Sequence, residues 1–154
     1  LHTAYRRQRQ MCIRDRYYKL IRVGKSVVFA QDLHIQLTYA ATMGKNDVGV
    51  FISNTGATRE VMECQRLARR QGGMTLALTR FDQSPLAQEA DLCLYTSSPE
   101  ISHRSGAMSS RIAQMCVVDV LFTAVARQNY SKVETALENS YKSCMTHKVQ
   151  AGEV

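Results

Sequence analysis

No stretch of this 154-residue chain approaches the ~20 consecutive apolar residues of a membrane span, and its N-terminus has no apolar signal core. The five cysteines (Cys12, Cys64, Cys93, Cys116, Cys144) never form a Cys-x-x-Cys pair. The four histidines (His2, His34, His103, His147) show no His-x-x-x-His spacing. Together these absences argue against a metal centre and a disulfide framework. Cys64, Cys93 and Cys116 sit in apolar patterns and read as reduced core thiols of a cytoplasmic protein. No Gly-Lys-Ser/Thr follows the hydroxyl-rich stretch at residues 53–58, so it is not a Walker-type phosphate loop, and there is no Gly-x-Gly-x-x-Gly fingerprint and no low-complexity linker. No metal, cofactor or membrane partner is expected.

The net charge of +7 is unevenly spread: Arg6, Arg7, Arg9, Arg14 and Arg16 stand against Asp15 alone within residues 1–16. That stretch has neither a helical stripe nor strand alternation. It reads as the translation of a sequencing adapter, a non-native segment contributing nothing to fold or function. A basic arm for DNA is the competing reading.

Residues 47–60 carry most of the information. An apolar run (Val48, Val50, Phe51, Ile52) stops at Ser53, and Asn54, Thr55, Gly56 and Thr58 follow before a helical pattern begins. A buried strand that turns through a hydroxyl-rich loop into a helix is suited to anions. The first helical N–H groups lack internal partners and carry the positive end of the helix dipole. Glycine at 56 allows positive φ and close approach. Each hydroxyl singly could be only a helix cap or turn residue. Their density after an apolar strand favours a phosphate ester.

Around this loop, strands alternate with helices. Strands are expected at 26–30, 47–53, 74–79 and 91–95. Asp32 is placed to cap a helix over 33–43. A second helix spans 57–71, with Val61, Cys64, Leu67 and Ala68 inward and Arg59, Arg66, Arg69 and Arg70 outward, and Gly72-Gly73 ends it. Ser84-Pro85 opens a short helix to about residue 89. Residues 96–106 form a polar loop. Long helices follow over 106–128, with an apolar stripe of Met108, Ile112, Met115, Val118, Phe122 and Val125, and over 131–146. Near-continuous apolar strands imply an α/β fold, a three-layer α/β/α sandwich with a parallel sheet covered on both faces. Ligands in such folds sit beyond the carboxyl ends of the strands, here Ser53, Thr79 and Thr96.

The segment Ile52-Ser53-Asn54-Thr55-Gly56-Ala57-Thr58-Arg59-Glu60-Val61 resembles the phosphosugar loop of SIS (sugar isomerase) domains, which are Rossmann-like. Ala77-Leu78-Thr79, Ser84-Pro85-Leu86-Ala87 and Ala90-Asp91 resemble that family's next block. Arg22-Val23-Gly24-Lys25, Asp32-Leu33-His34-Ile35-Gln36 and Arg104 to Ile112 are similar to the sensor domains of RpiR/MurR-type bacterial transcriptional regulators. The resemblance covers about 19–146. It implies that the first strand and helix are missing, with residues 17–148 a partial SIS domain, 149–154 a tail, and the regulators' DNA-binding helix-turn-helix absent.

Two functions follow. The resemblance implies a sensor that binds a phosphorylated sugar or amino sugar through Ser53, Asn54, Thr55, Gly56, Thr58, Thr79, Glu100 and Arg111, and reaches DNA only through another domain. The alternative is an aldose–ketose phosphosugar isomerase. It needs a general base, for which Glu100, His103 and Glu60 are the candidates. The wide apolar arc of helix 106–128, with Val117, Leu121 and Ala124 beside the stripe, favours a homo-oligomer. Arg104, Ser105 and Arg111 would then lie near the ligand.

Overall fold

The computed structural model describes residues 17–97, 108–128 and 130–145. They fall into two compact units: Ala30–Val117, and the segments up to Phe29 and from Val118 onward. The elements are α1 (residues 17–22), α2 (Leu33–Thr42), β1 (Val48–Ile52), α3 (Arg59–Arg70), β2 (Met74–Arg80), α4 (Pro85–Gln88), β3 (Leu92–Thr96), α5 (Met108–Arg127) and α6 (Tyr130–Met145).

The strands form a parallel sheet in the order β1-β2-β3. Val48 to Ile52 align with Met74 to Leu78, and Leu76 to Arg80 with Leu92 to Thr96. Parallel neighbours require crossovers, which α3 and α4 supply. The central strand is buried from Thr75 through Thr79 without a break, so both its faces are covered. This is the expected α/β class.

The core shows why these helices form where they do. Ala40 of α2 and Cys64 and Ala68 of α3 are buried together, with Leu33, Leu37, Met43, Phe51 and Leu67 packed on them. Small residues at the centre let two helices approach one sheet face. Burial, followed by the charge of Glu63, raises the Cys64 thiol above its ordinary range, so it stays protonated and acts as apolar filler. Asp32 caps α2, its carboxylate accepting from the N–H groups of His34 (3.0 Å) and Ile35 (3.2 Å). Gly72, at φ +90°, ends α3. Its N–H donates to the Arg69 carbonyl and that of Gly73 to Ala68, the paired bonds of a Schellman stop.

Three expectations are corrected. Residues 26–30 run outside the sheet and have no ladder partner among the described residues, and Val28 is exposed. An apolar β-rich run becomes a strand only where a neighbouring strand offers its edge, which local pattern does not encode. Cys116 is exposed, and so are Ile112 and Val120, because α5 is apolar on every side and no single packing face can cover it. For the same reason Ser109–Arg127 reaches a mean hydropathy of 1.3 over 19 residues, long and apolar enough by length and composition to cross a membrane. Arg111, Gln114 and Asp119 interrupt the run but do not pull its average down far enough.

At the amino end of β2 an ionic cluster ties α3 to the neighbouring strands. Arg66 donates to both carboxylate oxygens of Glu89 (2.6 and 2.5 Å), and Arg69 donates to the Glu89 carbonyl (2.7 Å). The Asp91 carboxylate accepts from the Thr75 N–H (2.8 Å) and hydroxyl (2.7 Å). Hydrogen bonds from Thr75 hold Asp91 below its ordinary range, and the Arg66 bonds do the same for Glu89. Both groups are therefore more acidic folded than unfolded. Their stabilisation is present above the ordinary carboxylate pKa and is lost as pH falls through the lowered folded values. Thermal unfolding followed from pH 7 downward is expected to show falling midpoints below about pH 4. Thr75→Val, which removes one of the Asp91 bonds, should flatten that acid slope.

Candidate functional site

The loop after β1 is built from hydrogen bonds that turn its carbonyls inward. The Ser53 N–H donates to the Leu78 carbonyl (3.1 Å), extending the ladder by one residue, and the Gly56 N–H donates back to the Ser53 carbonyl (3.2 Å) to close a turn. The Asn54 carbonyl accepts from the Arg80 N–H (3.1 Å) and the Thr79 hydroxyl (3.3 Å). The Gly56 carbonyl accepts from the Leu86 N–H (3.0 Å). The described peptides are all trans. In a trans peptide the next N–H points opposite to the carbonyl. Pinning the carbonyls of Asn54 and Gly56 against β2 and α4 therefore turns the N–H groups of Thr55 and Ala57 away from them. The Ala57 N–H makes a long bond to the Thr55 hydroxyl (3.3 Å).

The start of α3 continues this row of donors. Thr58 occupies its N-cap, yet the side chain makes no capping bond. Its hydroxyl is held 2.7 Å from the Ser53 hydroxyl instead. The first-turn N–H groups of α3 therefore keep no side-chain partner from the cap, unlike those of α2. They add the positive end of the helix dipole to the outward N–H groups of the loop. No arginine or lysine lies within Ser53–Thr58. An anion placed at this loop would be met by backbone dipoles and hydroxyls.

Gly56 is the narrowest point. Its φ is +60°, and a Cβ there would run into the Ser84 side chain and come within 2.8 Å of the Thr79 hydroxyl. Ser84 is itself held in place as the N-cap of α4, accepting from the Ala87 N–H (3.4 Å).

The structure brings together the predicted residues from Ser53 to Thr58, with Thr79 beneath them. Their roles differ. Ser53 is buried and its hydroxyl is used internally, bonding Thr58 and accepting from the Gly56 N–H. Thr79 is fully buried and props the Asn54 carbonyl. Thr55 and Thr58 are exposed, with the Thr58 hydroxyl shared with Ser53 and the Thr55 hydroxyl accepting from the Ala57 N–H, and Asn54 is half-buried. Arg111 lies in the first turn of α5, half-buried. Glu60, in the first turn of α3, is exposed. Glu100, His103, Arg104 and Ser105 lie outside the described residues. Sequence reasoning took Ser84 as a helix start and missed that it fills the space beneath Gly56. The signal was its place as a small polar cap after a strand running beside the loop. Among the described residues no cluster of metal-ligating side chains occurs.

The SIS domain family profile matches residues 14–124. The chain is 42% identical over 135 residues to an uncharacterised HTH-type transcriptional regulator of Caldanaerobacter subterraneus, covering 88% of this chain and 48% of that protein. It thus spans about half the length of that relative. Among solved structures, the Vibrio vulnificus NanR protein complexed with ManNAc-6P superposes with a TM-score of 0.80 at 24% identity, over 92% of this chain and 53% of that one. The sugar isomerase domain of an RpiR transcription factor from Sphaerobacter thermophilus gives 0.71 at 19% identity, over 86% and 72%. These likenesses establish the shared fold.

Two glycine substitutions separate backbone conformation from close packing. Gly72→Ala makes only an ordinary van der Waals contact, with Lys45 at 3.7 Å, and is expected to lose about 1–2 kcal/mol from positive φ alone. Gly56→Ala adds overlap with Ser84 to the same strain and should lose clearly more. Denaturant unfolding of the two variants side by side measures the difference.

Proposed function

The chain belongs to the SIS domain family, and from that premise we propose that it binds the phosphate group of a phosphorylated sugar or amino sugar at the Ser53–Thr58 loop. The observation that carries this reading is the uncapped start of α3. A threonine stands at the N-cap but turns its hydroxyl to Ser53, while the pinned carbonyls of Asn54 and Gly56 send the following N–H groups outward. A phosphate oxygen would accept from these N–H groups and from the exposed hydroxyls of Thr55 and Thr58. Asn54 and Arg111 belong to the same reading as groups that face the ligand, with Glu100 accepting from a sugar hydroxyl. Ser53, Gly56 and Thr79 shape the loop from within.

The domain acts as a sensor rather than an enzyme. Its similarity to an HTH-type regulator supports this, as does the sugar phosphate bound by the NanR protein of the same fold. DNA is contacted through a helix-turn-helix domain in the parent regulator, and the protein works in the cytoplasm. Residues 17–148 form the SIS portion, and 1–16 are not native to it. Within the loop the exposed groups are hydroxyls and amides, which bind phosphate without moving a proton between adjacent carbons.

Calorimetry with a panel of hexose and hexosamine phosphates tests the reading. Wild type should bind at least one member without converting it, and the parent sugar lacking phosphate should not bind. Thr55→Val and Thr58→Val each remove a hydroxyl bonded to a charged group and should each lower affinity by about 1.5–3 kcal/mol. Steady turnover of any phosphosugar would replace the sensor reading with the isomerase.

The breadth of the apolar surface of α5 supports self-association. Light scattering at tens of micromolar is expected to give a dimer or larger. A strict monomer with and without phosphosugar would remove the shared interface and leave the loop assignment standing.

A further inference from the structure

We propose that Gln65 is the positioning residue of the phosphate loop, acting through the backbone of Leu86. The inference rests on the phosphosugar reading for its ligand and on geometry alone for its mechanism. Gln65 lies in the middle of α3 and is fully buried. A buried amide is expensive unless its polar atoms are bonded. Here only half of it is satisfied: Nε2 donates to the Leu86 carbonyl (3.1 Å), while Oε1 has no partner among the described residues. A leucine or methionine would fill the same volume without that penalty, so what the side chain contributes is the single bond to Leu86. The assignment of nitrogen and oxygen follows from that partner, since a carbonyl can only accept.

The bond is one link of a relay. Gln65 holds the Leu86 carbonyl, the Leu86 N–H holds the Gly56 carbonyl (3.0 Å), and that carbonyl sets the direction of the Ala57 N–H. Leu86 is fully buried and sits in the only turn of α4, a helix too short to satisfy its carbonyl along its own axis. Without Gln65, the α4 turn is free to rotate the Leu86 peptide, and the peptide between Gly56 and Ala57 loses its anchor. The same α3 presents its uncapped first turn to the loop. Gln65 therefore couples the two halves of the anion site, the helix start and the loop amides, through one buried contact.

The obvious alternative is a purely structural cap on α4. Two variants separate them. Gln65→Met keeps volume and removes the donor. It is expected to leave the unfolding midpoint within a few degrees of wild type, weaken phosphosugar binding about tenfold or more, and speed hydrogen exchange at the Leu86 and Gly56 amides at least tenfold. Gln65→Glu places a carboxyl at the same point, and burial raises its pKa. Protonated, it donates to Leu86 as the amide does. Ionised, it cannot. Its affinity relative to wild type should therefore be near unity at low pH and fall as pH rises, a profile a plain packing defect does not produce. Loop exchange that speeds up in Gln65→Met only as far as global unfolding does, or a Gln65→Glu affinity ratio that is flat with pH, would overturn the proposal. If wild type binds no phosphosugar, the same exchange measurement, followed in Gln65→Glu across pH, still decides it. Faster loop exchange with unchanged global stability then sustains the positioning role while the phosphosugar reading falls.

Discussion

The site depends on how closely the β1 loop is seated on the start of α4. Residue 56 has room for a hydrogen and nothing larger, because Ser84 and Thr79 occupy the space where a side chain would begin. That close approach is what allows the Leu86 N–H to reach the Gly56 carbonyl and the Thr79 hydroxyl to reach that of Asn54. Each of these bonds fixes a peptide plane, and each fixed plane aims an N–H outward. Were the loop lifted by the width of a methyl group, the carbonyls would lose their partners and the amides their direction. The direction of the loop amides, on which the proposed anion site rests, is thus a consequence of packing beneath it.

β2 is the element that makes this packing possible. Thr75, Ala77 and Thr79 alternate along one face and all are fully buried. The methyl of Ala77 takes up little room, so α3 can lie close with Cys64 and Ala68 facing the sheet. The threonines at the two ends serve different neighbours. Thr79 holds the loop at the carboxyl end, and Thr75 holds Asp91 at the amino end. Buried hydroxyls are tolerated there because each has a carbonyl or carboxylate to bond. The ionic cluster of Arg66, Arg69, Glu89 and Asp91 is mostly exposed and contributes modestly to stability. Its value is geometric: it fastens the C-terminal half of α3 to the residues between α4 and β3.

Much of this was legible in the chain because the signals were local. Asp32, Ser84-Pro85 and Gly72-Gly73 marked helix ends through capping and positive φ, and the structure uses them so. The apolar runs before Ser53, Arg80 and Ser97 were strands. What was not legible depended on distant partners. Residues 26–30 have strand composition, but strand formation needs an edge to pair with. Gln65 carries no signal in the sequence, because nothing in its neighbourhood announces a bond to Leu86, twenty-one positions away. Ile112 and Cys116 were placed in a core by periodicity, which fails for a helix such as α5 that is apolar all round.

The loop's lack of charge has a consequence for what it can discriminate. Backbone amides and hydroxyls bind a phosphate strongly when they are pre-oriented and weakly when they must be ordered first, since ordering them consumes conformational entropy. A cationic side chain would tolerate looser geometry and would also attract carboxylates and sulfates. A cradle of dipoles instead asks for an anion whose several oxygens match several donors at once, which a terminal phosphate does. The burial of Ser53, Thr79, Ser84 and Gln65 behind the loop, each committed to an internal bond, is the rigidity that such a cradle needs. On the proposed phosphosugar reading, recognition of the sugar itself would fall to groups outside the loop, so one such cradle could serve sensors for different sugars.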